Sequence, residues 1–411
     1  MKLKSSFLIL ALFVIVSSQN MYGMYTTFGA PSISFPTPQY ATKDLKTVGA
    51  SLSYYKSENS YDCSGQKVGL LAYQGTETLL KRIIDRSLPF NDSQSVGKAL
   101  ISGRLTATSG AFWYVQNIGE HFYFTFVSSL SYIKLQNLLI APAKNNCLLL
   151  SETEIDADTE LKKYLNTLNK LIYDKSLGGK FYDATIGPTY FTIGYAQNFQ
   201  NFTHIDFIDF SIKAGFALPE TNIEPQTTAL FDIATNDIGA IRLPIQASAT
   251  VGLYDWLNIG ATGTLMPYAP TIQRISLPTT RDNNLVFLPE KGFCAIYHRP
   301  FVYAGAYIEA EHFIPRVSLF TGVSYSKQFK TTYQSWDNDK FPNSIINAFP
   351  VHRPWEMMWL TFSAEIDCYA SEDKKCLPQL KLVYILPVYG KSTFKTSVIS
   401  GQANLSIMYD F

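Results

Sequence analysis

Charge is scarce in this chain. Only 16% of its 411 residues are Asp, Glu, Lys or Arg, and they nearly cancel to a net +1, whereas soluble domains carry roughly 25% charged residues. Near-zero net charge without a Lys/Arg stripe excludes a general pull toward a phosphate backbone, so no nucleic-acid partner is expected. Long apolar runs are also missing: beyond the first residues no segment reaches the roughly 18 residues of a membrane-spanning helix. Chemistry-bearing motifs are equally sparse. There is no Gly-x-Ser-x-Gly, His-Glu-x-x-His, Cys-x-x-Cys or phosphate-binding glycine loop. The five His (His121, His204, His298, His312, His352) do not cluster by spacing. The nearest constellation, His204, Asp206 and Asp209, reads as a solvated turn. Neither an enzyme nor a cofactor is expected.

What the sequence does have is apolar and aromatic residues, 46% and 14%, with 26 Tyr and 28 Phe. It opens as an export signal: Lys2 and Lys4, an apolar run from Phe7 to Val16, then small residues at Ser17 and Ser18. Residues 1–18 are read as a signal peptide, with a second cleavage point after Gly23. Residues 19–46, rich in Pro and aromatics, form either a periplasmic lead-in or a plug of the lumen. An exported chain without spanning helices can sit in a membrane only as a closed barrel.

Residues 47–411 carry the matching pattern. Ile241, Leu243, Ile245, Ala247, Ala249 and Val251 alternate with Arg242, Pro244, Gln246, Ser248 and Thr250. A turn at Tyr254–Asp255 leads into Leu257, Ile259, Ala261 and Leu265 against Asn258, Gly260, Thr262 and Thr264. This period of two marks strands with one apolar and one polar face. Similar segments give about twelve to fourteen strands, an even count as in bacterial single-chain barrels. Connections alternate long and short, as they do when periplasmic turns are tight and outer loops are long. One strong helix is expected in the loop 136–183, with Leu161, Leu165, Leu168 and Ile172 at helical spacing.

The signal, the alternating segments and the ending Leu405-Ser406-Ile407-Met408-Tyr409-Asp410-Phe411 resemble Gram-negative outer-membrane β-barrel proteins, porin-like channels or fatty-acid-type transporters in size. The resemblance implies an all-β transmembrane antiparallel barrel in the outer membrane. It also implies outer-membrane lipid and the barrel-assembly machinery as partners, with Tyr409 and Phe411 as the assembly signal. The expected function is passive uptake of small solutes through a polar lumen. The alternatives are a closed structural or adhesive barrel with surface-binding loops, or a transporter of hydrophobic substrates.

In such a barrel the polar faces line the lumen, which makes Arg104, Asp209, Lys213, Arg242, Glu309, Glu311, Arg316, Glu365 and Lys381 the candidate lining residues. They either set selectivity or pair to close the interior. The five Cys of an exported chain suggest disulfides. Cys368 and Cys376 flank one predicted turn, and Cys63 with Cys147 would tie outer loops and leave Cys294 free. No metal site is indicated. Tyr54, Tyr132, Trp256, Tyr325, Trp355 and Tyr409 are placed in interfacial girdles.

Overall fold

The computed structural model describes residues 45–70, 78–79, 98–142, 181–200, 202–219, 221–222, 240–277, 291–348, 354–368 and 376–408. Its wall is made of antiparallel strands β1 (Leu45–Ser57), β2 (Lys98–Ile118), β3 (Phe122–Pro142) and β4 (Thr189–Gln200). They are followed by β5 (Phe207–Leu218), β6 (Ile245–Leu253), β7 (Leu257–Met266) and β8 (Phe301–Ile314). The last four are β9 (Val317–Gln328), β10 (Trp355–Asp367), β11 (Cys376–Lys391) and β12 (Ser397–Met408). Each strand pairs with the next, and β12 returns to β1, Leu45 opposite Met408 and Lys56 opposite Ser397. The result is a closed 12-strand antiparallel β-barrel. Closure leaves no wall edge unpaired, which is what a strand structure needs in lipid. Among the described residues no helix is long and apolar enough to cross a membrane.

The alternation read from sequence places the faces. On β5, Phe210, Ile212 and Phe216 are exposed on the outside, while Ser211, Lys213 and Ala217 are buried within. The exterior of β9–β11 shows the membrane belt row by row. Going from the tight-turn end, Val317, Ile366 and Leu380 stand side by side, then Leu319, Ala364 and Leu382. Above them come Thr321, Phe362 and Tyr384, next Val323, Leu360 and Leu386, and finally Tyr325, Met358 and Tyr389. At about 3.4 Å per residue and a tilt of about 40°, the stretch from 317 to 325 is about 20 Å tall, close to the roughly 25 Å apolar band of such barrels. Lipid, not water, is the solvent that this belt fits.

Five tight connections (119–121, 201–206, 254–256, 315–316 and 368–375) lie at one end, together with the start of β1 and the end of β12. Longer connections lie at the other end, except that β11 and β12 extend far enough to leave only 392–396 between them. The wall begins at Leu45, before the expected start at 47. The strand expected from Ile241 enters the ladder only at Ile245, and Arg242 makes isolated bridges to Ala217 and Tyr268. Pro244 explains the delay, since it has no N–H to give a ladder. Above the wall, Thr271–Ser276, Lys291–Tyr297 and Thr332–Ser335 form a separate three-stranded sheet. With the short helix α1 (Asn343–Ile346), it closes over Leu277, Cys294, Ile296, Tyr333 and Phe341. The signal segment, the expected helix around 161–172, and Tyr409 and Phe411 lie outside the described residues.

Candidate lumenal site

Near the tight-turn end, charged and amide side chains point inward from neighbouring strands. On β8, Glu309 and Glu311 share a face, and Asn258, opposite Glu309 on β7, donates from Nδ2 to Glu311 Oε2 at 2.9 Å. Asn198 on β4 likewise donates to Asp209 on β5. Further round, Lys381 Nζ reaches Glu365 Oε2 at 3.1 Å and covers the Phe320 ring, 5.6 Å from its centroid. Glu309, Glu311 and Glu365 thus stand on the same arc as Lys381, Asp209 faces inward across the lumen on β5, and Lys213 lies higher on β5 at mid-lumen. All four carboxylates retain partial exposure, so water reaches them.

Above this band the inner face turns to small polar residues. Ser51, Ser109, Thr262, Thr264, Thr361 and Gln402 all keep partial exposure. Hydroxyls tie strand to strand: Ser211 with Ser248 at 2.7 Å, Thr250 with Tyr307 at 2.7 Å, and Ser53 Oγ donating to Ser400 Oγ at 2.8 Å. Aromatic rings occupy the remaining radius by lying flat over inward glycines. A Cβ at Gly49 would collide with Trp113, and one at Gly194 with Tyr123. Glycine here serves close approach, letting a ring pack against the wall of a medium-sized barrel.

Toward the long-loop end the inner face becomes apolar and closed. Leu105, Ile133, Leu135, Met357, Trp359, Ile385 and Val398 are almost fully buried, as are Leu70 and Phe394 of the covering segments. A further buried cluster runs down the inner wall from this end toward the tight turn 119–121: Tyr190, Met266, Val127, Tyr123, Trp113 and Val115, with Tyr268 and Phe301 packed against it. Arg242 enters this region and donates from Nη1 to Tyr190 Oη at 3.2 Å.

No protein-family model matches the chain, and no curated protein sequence does. Among solved structures the barrel is similar to an outer-membrane channel from Pseudomonas putida F1, with TM-score 0.49, 10% identity, and 91% of this chain and 99% of that one covered. It is also similar to the transport unit of the autotransporter AIDA-I from Escherichia coli, with TM-score 0.41, 8% identity and coverage of 92% and 94%. A deltaS2S3 mutant of the monoaromatic hydrocarbon channel TodX gives TM-score 0.38, 10% identity and coverage of 96% and 97%. Likeness at this level leaves activity to the chemistry of the lumen itself.

Seven of the nine expected lining residues face inward: Asp209, Lys213, Arg242, Glu309, Glu311, Glu365 and Lys381. Two do not. Arg104 lies on the outside, its Nη2 2.9 Å from Glu58 Oε1, because the alternation through buried Leu105, Ala107 and Trp113 leaves it on the outer face. Arg316 sits exposed in the tight turn between β8 and β9, at φ 69°. The Cys368–Cys376 disulfide is also corrected. Cys368 is a free, exposed thiol, and its N–H donates to Pro378 O at 2.8 Å, so the register sets it opposite Pro378 and not Cys376. Cys63 and Cys294 are free as well, and Cys147 lies outside the described residues. His204 is exposed in its turn, while Asp206 accepts a bond from the Asp255 N–H at 2.7 Å and Asp209 turns inward to Asn198. These three form no common site. Trp355 is buried against Phe301 instead of joining a girdle, while Tyr54, Tyr132 and Trp256 are exposed. Asn198 and Asn258 complete the site without carrying a charge, and period-two counting along β7 puts Asn258 on the inner face.

Proposed function

We propose that the protein is an outer-membrane channel that passes small hydrophilic solutes and favours cations over anions. The supporting observation is the band of four carboxylates, Asp209, Glu309, Glu311 and Glu365, on a water-reached inner face against Lys381 and Lys213. Fixed charges lining a narrow, low-dielectric path raise the local concentration of ions of opposite sign. The small hydroxyl residues above the band give a solute exchangeable hydrogen bonds without a deep well. The packed apolar mouth acts as the gate of this path. On this reading the partners are membrane lipid, the barrel-assembly machinery that inserts the chain, and the solute.

Planar-bilayer recording across a salt gradient tests this. The wild type should show a cation-selective reversal potential, and Glu309→Gln with Glu311→Gln should move it toward zero. A reversal potential that the double variant leaves unchanged would remove these residues from the path. Liposome swelling with sugars, amino acids and nucleosides would then define the solute.

A further inference from the structure

The outside of the barrel carries a second charged feature, on the rim where the apolar belt ends at the long loops. Immediately above the Tyr325–Met358–Tyr389 row, Lys327, Glu356 and Lys391 stand side by side on β9, β10 and β11. Glu356 Oε2 lies 3.4 Å from Lys327 Nζ, and Glu356 Oε1 lies 3.0 Å from Lys391 Nζ. Tyr325 and Tyr389 donate to the same carboxylate, at 2.8 and 3.4 Å. The carboxylate is only 15% exposed, whereas the lysines are 35% and 41% exposed. Glu356 therefore fixes the two ammonium groups from beneath and leaves them presented outward.

The arrangement recurs across the seam. Lys56 on β1 and Arg104 on β2 both bond Glu58, at 3.1 and 2.9 Å. Lys56 aligns with Thr106, and Thr106 with Lys134 on β3. Outward on this arc, five bases (Lys56, Arg104, Lys134, Lys327, Lys391) stand against Glu58 and Glu356. At the opposite edge of the belt, the described outward charges on these strands and the turns beside them are Lys46, Arg316 and Glu120, a smaller basic excess. The larger excess of positive charge thus marks one leaflet. Beneath it, Leu360, Phe362, Tyr384 and Ile399 offer an exposed apolar wall at acyl-chain depth.

We propose that this arc is a binding site for lipids whose headgroups carry phosphate monoesters, in the leaflet on the long-loop side. A monoester is close to a dianion at neutral pH and can engage both ammonium groups of one cluster, which a singly charged diester satisfies less well. A base held at headgroup level contributes about 1 kcal/mol toward an anionic lipid, and here the spacing is fixed in advance by a carboxylate. The site stands on the outer wall and is independent of solute passage.

Native mass spectrometry of the full-length barrel, released from phosphatidylcholine vesicles doped with phosphatidic acid, phosphatidylglycerol or diphosphoryl lipid A, provides the test. Phosphatidic acid and lipid A should remain bound in preference to phosphatidylcholine, with phosphatidylglycerol between. Lys327→Gln with Lys391→Gln should weaken retention about tenfold or more, and Lys46→Gln should not. Retention of phosphatidic acid no better than phosphatidylcholine by the wild type would overturn the proposal, even if the double variant fails to assemble. Wild-type retention by an assembled double variant would overturn it too. Bilayer conductance of the same variants separates this outcome from a failure of the channel reading, since the lysines lie outside the conduction path.

Discussion

At the tight-turn end of the lumen Asp209, Glu309, Glu311 and Glu365 keep contact with water, while at the long-loop end Leu105, Ile133, Leu135 and Trp359 are shut away from it. Both ends are built on the same alternation, and in both the inward face is set by register. The difference lies in what covers them. Charged inward residues persist where the wall stands alone, since desolvating an ion is costly unless it is paired. Where segments such as 59–61, 67–70 and 393–394 fold over the mouth, inward residues are buried against protein and mostly apolar, and the polar ones among them, such as Arg242 and Gln328, are hydrogen-bonded. A lumen can thus be polar and apolar by turns within one barrel.

The largest effect expected from disturbing this contrast is at Trp359. Trp359→Ala removes an almost fully buried ring from the closed end and should cost about 3–5 kcal/mol in denaturant unfolding of the detergent-solubilised barrel. It should also raise conductance; equal conductance and stability would mean that the mouth is not sealed by packing. Gly194→Val comes next. It forces a side chain into the space of Tyr123 and should cost about 1–3 kcal/mol by the same measurement.

At the charged end, Lys381→Gln frees Glu365 from its 3.1 Å partner. The reversal potential should move further toward cation selectivity, while stability changes by less than about 1 kcal/mol for a partly exposed pair. The smallest effect concerns the covering segments. Burial alone would raise the Asp62 carboxyl, but bonds from Ser64, Gln66 and Gly65 hold it below its ordinary value. A depressed carboxylate stabilises the fold above its unfolded pKa, and that contribution is lost as pH falls through the folded one. The protection of the Ser64 and Gln66 amides, measured against their intrinsic exchange rates, should therefore fall as pH drops below the ordinary 3.8 of Asp. Asp62→Asn should make that protection independent of pH over the same range.

The wall was readable from sequence because one face of every strand had to be apolar, and β5 to β7 show it almost residue by residue. Arg104 misled because its charge suggested the lumen, although the unbroken alternation through Leu105, Ala107, Trp113 and Val115 sets it on the outer face. Cys368 and Cys376 misled because flanking a turn does not make two residues cross-strand partners. The sealed mouth left no local signal: Leu135, Met357 and Ile385 look like any strand residue until the segment that covers them is in place. Cys294 is unpaired, as expected. Its burial pushes the thiol up to about 12, so peptide mapping after maleimide treatment should find Cys63 and Cys368 modified and Cys294 untouched.

The seam between β1 and β12 is fastened by Ser53 to Ser400 and Thr47 to Ser406, partners separated by 347 and 359 positions in the chain. The barrel therefore cannot close, and β1 keeps an unpaired edge, until β12 is in place. A chain that stops short of Ser397 would lack the strand that covers that edge. Escorts that shield such an edge, and proteases that clear chains left with it, would be expected to decide how much of this polypeptide ever matures.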